Sequence, residues 1–256
     1  MIESRNLLVM PFGNNSIESE WIFEKKERHF DVVLLYYHKV IKKEIIKAGS
    51  EHFAVFHLED FKWPMIQSFF NLHSSYLQKY DYFFFPDDDI ELSRSSIQQL
   101  FKCAQHFNLQ MTQPVLSLDS YKSWRVLRKK FFSGVRYLSA VELMCPLMTR
   151  DALIELLPTF NLNHSGWGID ILWGDIIRKK FGEKSIAVFD LIETKHTKPV
   201  GTGEMYSKLG KSAFEERDEI FQQYGLELTK IVSLPVSENT FKNKLRSYFM
   251  LKKQLK

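Results

Sequence analysis

Short apolar runs alternate with helical patterns along the first 85 residues of the chain. Each run has the length of a buried strand, while residues 61–80, between the last two runs, carry apolar side chains at helical spacing. Asp60 precedes that helical pattern and is a suitable N-cap. The alternation predicts an α/β sheet of parallel strands with helices on its faces. The predicted strands are residues 6–10, 31–37, 52–58 and 82–85.

Patterns of the same two kinds continue to about residue 225. No Pro-, Gly- or Ser-rich linker and no internal repeat interrupts them, so we expect one domain over residues 1–235 and a separate basic tail over residues 236–256. Gly225 follows the last helical pattern of the domain and is a typical C-cap residue. The predicted helices are residues 95–107, 151–157, 169–181 and 212–224, and the predicted strands are 109–116, one or two within 135–148, and 185–192.

Three aspartates, Asp87, Asp88 and Asp89, directly follow the apolar run 82–85. Ligands of α/β sheets bind beyond the carboxyl ends of the strands, so the aspartates stand in a functional position. Adjacent carboxylates repel one another, and a hard divalent cation such as Mn2+ or Mg2+ relieves that repulsion through oxygen ligands. In an extended segment Asp87 and Asp89 point to the same side. We therefore expect these two residues to hold the cation, while Asp88 points away from it.

A solvated acidic turn that caps the next helix is the alternative interpretation of these aspartates. The strongly apolar strand before them favours the metal site. An EF-hand calcium loop is disfavoured because Leu92 stands where the turn glycine of such a loop would be. A phosphatase-type aspartyl nucleophile is also disfavoured, since its Asp-x-Asp pair more naturally follows the first strand of the fold.

Composition restricts where the protein acts. The 256 residues are 45% hydrophobic and 26% charged, which is typical of a soluble globular protein with a sizeable core. Cys103 and Cys145 are too few for a disulfide framework, which favours a reducing compartment. The first residues lack the apolar segment of a signal peptide, and no apolar run approaches the roughly 20 residues that cross a bilayer. We expect a cytoplasmic protein, with peripheral contact at the inner face of the membrane as an option.

The formal net charge is only +4, but the cations gather in two segments. Residues 122–136 combine six cations with three aromatic side chains, and this segment is either a solvated loop or one that folds over the site to neutralise a leaving diphosphate. Residues 236–256 carry cations and aromatics at helical spacing, with no acid after Glu238. Such a pattern is typical of a helix that binds an anionic membrane surface. A helix packed on the domain is the alternative. No recognition motif for nucleic acid accompanies the charge.

Five short motifs, taken together, resemble those of known enzymes. They are residues 83–90, Gln113-Pro114, 141–146, 166–170 and 196–201. An opening strand, an Asp-x-Asp after a central strand and a late histidine resemble the GT-A nucleotide-sugar transferases. More narrowly, the chain resembles a family of plant and bacterial proteins regarded as glycosyltransferases and long described only as a domain of unknown function. The resemblance spans about residues 6–203 and implies a GT-A-like α/β fold, with a mixed, mostly parallel sheet flanked by helices.

The resemblance also implies residues of a metal and donor site. In GT-A enzymes a histidine after the last core strand often completes the metal site, which assigns that role to His196 beside Asp87 and Asp89. A hydrogen-bonded histidine without a metal is the alternative. The nucleotide of the donor would lie against the loop after the first strand and the end of the third, and Asp88 would face its ribose. The implied donor-binding residues are Pro11, Gly13, Asn14, Asp60 and Asp88.

An inverting transferase needs a carboxylate on the acceptor side to take the proton from the attacking hydroxyl. Asp170 begins a predicted helix behind Gly166-Trp167-Gly168, where glycines allow close backbone approach and a tryptophan can stack on a sugar. The motif resembles that of some inverting galactosyltransferases, which implies that Asp170 is the base and residues 166–168 bind the acceptor. A purely helix-stabilising role of Asp170 is the alternative. Asp175 and Glu142 are reserve candidates for the base.

These features predict an inverting, metal-dependent glycosyltransferase. It would move a sugar from a nucleotide-diphosphate donor to a glycan or lipid-linked acceptor in the synthesis of surface polysaccharide or glycoconjugate. A metal-dependent nucleotidyltransferase or phosphohydrolase is one alternative, although such an enzyme needs no acceptor platform like residues 166–170. A non-catalytic nucleotide-sugar-binding module is the other, and the intact set of carboxylates and His196 disfavours it.

Overall fold

The structure is a computed structural model that describes residues 5–23, 28–200, 210–235 and 241–255. The strands are β1 (Asn6–Phe12), β2 (Asp31–Tyr36), β3 (Ala54–His57), β4 (Tyr82–Phe84), β5 (Ile90–Glu91), β6 (Met111–Leu116), β7 (Val135–Tyr137), β8 (Leu147–Thr149) and β9 (Ile186–His196). The helices are α1 (Glu20–Phe23), α2 (Glu44–Ala48), α3 (Lys62–Leu72), α4 (Ser75–Lys79), α5 (Arg94–His106), α6 (Arg150–Leu156), α7 (Ile169–Phe181), α8 (Ala213–Tyr224) and α9 (Phe241–Gln254). Short 3₁₀ turns cover Arg125–Leu127 and Leu157–Thr159.

The described strands form one sheet in the order β3-β2-β1-β4-β8-β6-β9-β5, and β7 also pairs with β9. β1 is parallel to β2 and β4, and β2 is parallel to β3. β8 is antiparallel to both β4 and β6, so β6 runs in the direction of β4, and so does β9, which is parallel to β6. Only β5, β7 and β8 of the described strands run the other way. The sheet is therefore mixed and mostly parallel, as predicted.

Helices cover both faces of the sheet. Phe83 and Phe84 are neighbours in β4 and point to opposite faces, because side chains alternate along a strand. The ring of Phe83 lies 5.6 Å from Phe70 of α3, whereas the ring of Phe84 lies 6.4 Å from Phe101 of α5. The two helices thus pack on opposite faces. Coverage on both sides explains why β1, β2 and β4 are continuous apolar runs without alternation.

Some boundaries differ from the sequence predictions. The single helix predicted over residues 61–80 is two helices, α3 and α4, because the backbone leaves the helical region at His73 (φ −129°, ψ 52°). Phe61, not Asp60, occupies the N-cap position of α3. The Asp60 carboxylate instead accepts a hydrogen bond of 2.7 Å from the Phe61 backbone N–H. The prediction that Asp60 caps the helix is therefore wrong.

The helix of the basic tail packs on the domain. Leu251 of α9 is fully buried, and the backbone N–H of Val135 in β7 donates to Ser247 Oγ at 3.0 Å. Directly after this helix, the carbonyl of Leu255 accepts a hydrogen bond from the side chain of Gln99 at 3.3 Å. These contacts support the packed helix, the alternative considered from the sequence. Among the described residues, no helix has both the length and the apolar character needed to cross a bilayer.

Candidate metal centre and ligand cavity

A cavity of about 780 Å³ lies at the edge of the sheet where β1, β2, β4 and β9 end. These four strands run in the same direction, so their carboxyl ends meet at one edge. The cavity is lined by Pro11 from β1, by Tyr37 after β2, by Asp87 after β4 and by His196 at the end of β9. It is therefore in the position where α/β sheets bind ligands. A larger hollow of about 1140 Å³ lies beside Trp21 and lacks these side chains.

Asp87, Asp89 and His196 form a cluster at this cavity. Each offers one ligand atom, and the three atoms lie within 4.8 Å of one another. The pairing of β5 with β9 produces this proximity, because it sets Ile90 directly opposite His196 and so brings the preceding Asp89 beside the imidazole. A backbone hydrogen bond of 2.7 Å from the Asp87 N–H to the Met144 carbonyl holds the other end of the turn. His196 is the last residue of β9, not a residue beyond the strand as the sequence suggested.

The environment of the cluster fits a bound divalent cation. Asp89 Oδ1 is buried, and His196 Nδ1 is buried without a hydrogen-bond partner within the part of the chain that the structure describes. His196 Nε2 lies 3.1 Å from Asp89 Oδ1. Although burial opposes the charged form of each group, this contact lowers the pKa of Asp89 and raises the pKa of His196. Buried carboxylate oxygens of two aspartates close to an imidazole nitrogen are suited to the coordination of a divalent cation.

Lys62 holds one side of the cluster and was not found from the sequence. Its ammonium forms an ion pair with Asp87 Oδ1 and donates to the carbonyls of Phe85 at 2.9 Å and Leu143 at 2.7 Å. Burial raises the pKa of Asp87 to about 6, against the opposing effect of the Lys62 charge. No sequence pattern marks Lys62, since two of its partners are backbone carbonyls of distant segments. It anchors the turn that carries the aspartates.

Asp88 points away from the cluster of Asp87, Asp89 and His196, towards the loops after β1 and β2. Its Oδ2 accepts a hydrogen bond of 2.7 Å from the Tyr37 hydroxyl and another from Ser16 Oγ. The backbone carbonyl of Asp88 accepts a hydrogen bond of 2.9 Å from the Ile17 N–H. Asp88 thus links the acidic turn to the loop after β1. It also lines the same cavity.

The predicted donor-binding residues divide into two groups. Pro11, Asp60 and Asp88 line the cavity, whereas Gly13 and Asn14 do not. A Cβ on Gly13 would overlap the ring of Tyr37, so the glycine permits close packing of the two loops. Asn14 Oδ1 accepts hydrogen bonds from the Lys42 N–H at 3.0 Å and from the Tyr36 hydroxyl, so Asn14 joins the same loops. Asn15, which belongs to the predicted nucleotide loop, also lines the cavity. Cavity residues that the sequence did not reveal include Tyr37, His38, Phe61 and Trp63.

Asp170 lies on another wall of the cavity, in the first turn of α7. Its Oδ2 accepts a hydrogen bond of 2.8 Å from the Trp124 indole, and its Oδ1 accepts one of 2.9 Å from the Ile171 N–H. Burial raises the pKa of Asp170 to about 6, although both hydrogen bonds oppose the shift. A carboxylate with this pKa changes protonation close to neutral pH, as a general base should. Its bond to the backbone also fits the alternative, helix-stabilising role.

Glu142 is a second buried carboxylate in the cavity. Its Oε2 is buried without a hydrogen-bond partner among the described residues. Burial raises the pKa of Glu142 to about 7, the hydrogen bond with Ser123 opposes the shift, and the charge of Asp170 adds to it. Asp175, the other reserve candidate, does not line the cavity and pairs with Lys179 at 2.8 Å. Of the two reserve candidates, only Glu142 therefore lines the cavity.

The segment Gly166-Trp167-Gly168 also lines the cavity. Gly166 and Gly168 have φ values of 80° and 85°, in the left-handed region that favours glycine. The side chain of Asn163 holds the segment, since its Oδ1 accepts from the Gly166 N–H and its Nδ2 donates to the Trp167 carbonyl, each at 2.9 Å. Buried Glu216 of α8 accepts from the Ser165 N–H at 2.8 Å. The supporting Asn163 and Glu216 carry no signal in the sequence.

The basic segment 122–136 contributes to the cavity through Lys122, Ser123 and Trp124. Two of its other cations are paired elsewhere. Arg136 is buried against Asp190, with 2.7 Å between Nε and Oδ2, and Lys129 pairs with Glu193. These two residues are therefore not placed to neutralise a diphosphate in the cavity, whereas Lys122 is.

The fold is shared with a glycosyltransferase of known structure. A crystal structure of GalNAc-T7 with UDP, GalNAc and Mn2+ matches the chain with a TM-score of 0.57 and 12% sequence identity, over 86% of this chain and 48% of that one. At this identity the likeness shows the fold alone, and it confirms the predicted GT-A-like α/β fold. The chain spans about half the length of the GalNAc-T7 chain, 48%. A search of curated proteins found no match.

A protein-family model matches residues 1–139, and its description is "Protein of unknown function (DUF707)". The matched part contains β1 to β7 and the three aspartates, while Asp170 and His196 follow it. Because the match covers 139 of the 256 residues, more than half of the sequence, the chain belongs to the DUF707 family.

Proposed function

We propose that the protein is an inverting, metal-dependent glycosyltransferase that moves a sugar from a nucleotide-diphosphate donor to a hydroxyl of a glycan or lipid-linked acceptor. The observation that carries the proposal is the cluster of Asp87, Asp89 and His196 at the strand-end cavity of a GT-A-like fold. The similar structure of GalNAc-T7 was determined with UDP, GalNAc and Mn2+, which supports the same classes of donor and metal.

The described residues have distinct roles in this proposal. Asp87, Asp89 and His196 hold Mn2+ or Mg2+, and the neutral imidazole of His196 is the form that coordinates. A cation held by these residues would supply positive charge that offsets the negative charge of the donor diphosphate. Pro11, Asp60 and Asp88 contact the nucleotide, with Asp88 oriented by Tyr37. Gly13 and Asn14, which do not line the cavity, act only by shaping the loops around it.

Asp170 takes the proton from the acceptor hydroxyl. As the hydroxyl oxygen forms its bond to the anomeric carbon, the O–H bond breaks, the proton passes to the Asp170 carboxylate, and the nucleoside diphosphate leaves with the electron pair of the old bond. Trp124 orients the Asp170 carboxylate through its indole N–H. Glu142 is a second candidate for this step because its Oε2 is buried without a partner in the described part of the chain. Residues 166–168 form the acceptor side of the cavity.

Thermal unfolding with nucleotide sugars tests the donor site. The panel contains UDP-, GDP- and CMP-sugars, each with and without Mn2+, on the native protein, on Asp89→Ala and on Asp175→Ala, whose site lies outside the cavity. We expect one diphosphate sugar to raise Tm only with the metal, by about 2–4 °C for each kcal/mol of binding. Asp89→Ala should lose the shift and Asp175→Ala should keep it. The donor site is refuted if no nucleotide sugar stabilises the protein under any metal condition.

Single substitutions separate the two candidate bases. Asp170→Asn should keep the affinity for the donor and lower the transfer rate by about 10²–10⁴-fold, the usual contribution of a general base. Glu142→Gln should leave most of the rate. Loss of donor binding in Asp170→Asn would contradict its role as the base. A large loss of rate in Glu142→Gln alone would assign the role to Glu142.

A further inference from the structure

The two basic segments of the sequence lie side by side in the structure. Val135 donates a backbone hydrogen bond of 3.0 Å to Ser247 Oγ, and Gly134 lies so close to Ser247 that a Cβ would overlap its carbonyl group. Beside this contact the ring of Phe132 lies 6.4 Å from Tyr248, and the ring of Tyr248 lies 5.5 Å from Phe249. Residues 129–132 and the outward side of α9, residues 246, 249, 250, 252 and 253, therefore form one surface, the loop–helix face.

The loop–helix face exposes four large apolar side chains. The exposed fractions are 65% for Phe131, 62% for Phe132, 58% for Phe249 and 52% for Met250. Single exposed apolar residues are normal, but four on two distant segments that pack against each other are typical of an interaction surface. Phe132 also has φ 57°, a left-handed conformation that is a genuine outlier for a bulky residue. The loop thus holds an aromatic ring in solvent in a backbone conformation that it disfavours.

Cations surround these apolar side chains. Arg246, Lys252 and Lys253 are exposed on α9, and residues 239–256 contain no acid that could neutralise them. Residues 122–136 contain no acid either. The ammonium of Lys129 lies 5.6 Å from the centre of the Phe131 ring, although Lys129 also pairs with Glu193. The face therefore combines exposed apolar side chains with exposed cations of α9.

We propose that the loop–helix face docks the protein on an anionic lipid bilayer. Cations attract anionic headgroups, while exposed aromatic rings enter the interfacial region of the bilayer. A second copy of the chain is a poorer occupant, because a two-fold contact through this face would place like charges opposite each other. A nucleic acid is a poorer occupant as well, since four exposed apolar side chains interrupt the positive charge that phosphates would contact.

The face is close in sequence to the cavity. Trp124 lines the cavity and donates to Asp170, and Phe131 follows seven residues later in the same segment. The helix α9 packs on β9, the strand that ends with His196. Docking through this face would hold the cavity near the membrane surface, which suits a lipid-linked acceptor. This last step rests on the proposed function, whereas docking itself does not.

Flotation with vesicles tests the role of charge. The native protein should bind phosphatidylcholine vesicles that contain phosphatidylserine at least ~10-fold more tightly than pure phosphatidylcholine vesicles, and high salt should weaken that binding. The combined change Arg246→Gln, Lys252→Gln and Lys253→Gln should abolish the preference. The control is the same number of exposed cations removed elsewhere, Lys102→Gln, Lys184→Gln and Lys230→Gln. The proposal is wrong if the native protein stays in solution with both kinds of vesicle, or if both triple variants bind equally.

A fluorescent label tests the insertion of the apolar side chains. Cys103 and Cys145 are both buried, so Phe249→Cys can be labelled selectively with an environment-sensitive dye. Its emission should rise and shift to the blue with phosphatidylserine vesicles. Leu72→Cys, an equally exposed apolar position on α3, is the control and should show no change. Phe131→Ser with Phe132→Asn should weaken binding, and asparagine tolerates the left-handed backbone at residue 132. A signal that is the same at both labelled positions would overturn the docking geometry.

These measurements need no donor and no metal. A failure of docking therefore leaves the thermal unfolding panel unaffected, and a failure of that panel leaves the vesicle result unaffected. The two proposals can be refuted separately.

Discussion

At the residue scale, the ammonium of Lys62 joins its own helix α3 to two other segments beside the cluster of Asp87, Asp89 and His196. It contacts the Asp87 carboxylate and the carbonyls of Phe85 and Leu143, and its side chain is only 14% exposed. Lys79 offers a direct comparison, since it lies 3.7 Å from Asp31 but is 58% exposed. An exposed pair contributes little to stability, whereas removing one partner of a buried pair leaves the other charge and its neighbours unsatisfied.

We therefore expect Lys62→Met to lower the free energy of unfolding by about 2–4 kcal/mol, because the buried oxygens around Lys62 lose their donor. Lys79→Met is the control, and it should lower the free energy of unfolding by less than about 1 kcal/mol. Urea denaturation of both variants without metal measures the difference. Equal small losses would show that Lys62 does not hold the turn that carries Asp87.

Asp170 gives a prediction with a defined pH dependence. Burial raises its pKa to about 6 in the folded protein, above the value of 3.8 that is usual for aspartate. The folded state then binds the proton more tightly than the unfolded chain. The contribution of this group to the free energy of unfolding is therefore fully present below about pH 4 and is lost as the pH rises through about 6. Asp170→Asn should be more stable than the native protein by about 1–3 kcal/mol at pH 7.5, and the difference should vanish near pH 4.

Chemical denaturation across this pH range measures the gain, with Asp175→Asn as the control outside the cavity. If Asp170→Asn raises the free energy of unfolding equally at all pH values, burial of the charged Asp170 carboxylate does not destabilise the native protein. Under the proposed function, the transfer rate of the native protein should rise with pH through about 6, since the base must be deprotonated.

At the element scale, the sequence predicts helices with a strongly periodic pattern well and a strand end with a weak pattern poorly. The prediction of a helix over residues 169–181 agrees with α7, and that over 212–224 agrees within one residue with α8. The predicted strand 185–192 ended too early. β9 continues for four residues in which buried Thr194 and His196 alternate with partly exposed Glu193 and Lys195. A half-exposed strand end has no continuous apolar run, so the run alone could not show that His196 belongs to the strand.

The site was predictable where it depends on residue type and not where it depends on backbone contacts. The three aspartates, His196 and Asp170 stand out in the sequence because carboxylates and a histidine follow apolar runs. The contribution of Lys62 depends on carbonyls of segments some 20 and 80 residues away along the chain, which no local pattern encodes. The association of the loop 129–132 with α9 is likewise a tertiary contact.

The contact between β7 and α9 leads to a prediction for a whole element. A Cβ at Gly134 would overlap the backbone carbonyl of Ser247, which is not the end of a flexible side chain, so α9 has to move in Gly134→Ala. We expect trypsin to remove the lysine-rich tail of this variant several-fold faster than that of the native protein, because cleavage requires local unfolding. Gly210→Ala is the control, since a Cβ there meets nothing within 4 Å. Equal rates for the two variants would show that Gly134 does not support α9.

At the scale of the whole molecule, the cavity depends on both parts of the sheet. Asp87 follows β4, where the parallel strands end, while Glu142 precedes the antiparallel β8 and His196 ends β9. The cluster therefore forms only when the order β4-β8-β6-β9 has been established.

The limits of the domain give the last prediction. The sequence predicts a domain over residues 1–235 and a separate tail, but Leu251 of that tail is fully buried against the domain. Met250, its neighbour in α9, is 52% exposed. We expect Leu251→Ala to lower the free energy of unfolding by about 2–4 kcal/mol through lost apolar contact and a cavity, and Met250→Ala to change it by about 0.5 kcal/mol or less. Urea denaturation should show a single transition for both variants. Equal stabilities would mean that α9 is only loosely attached and that the domain ends near residue 235, whereas a loss confined to Leu251→Ala makes α9 part of the core of the catalytic domain proposed here.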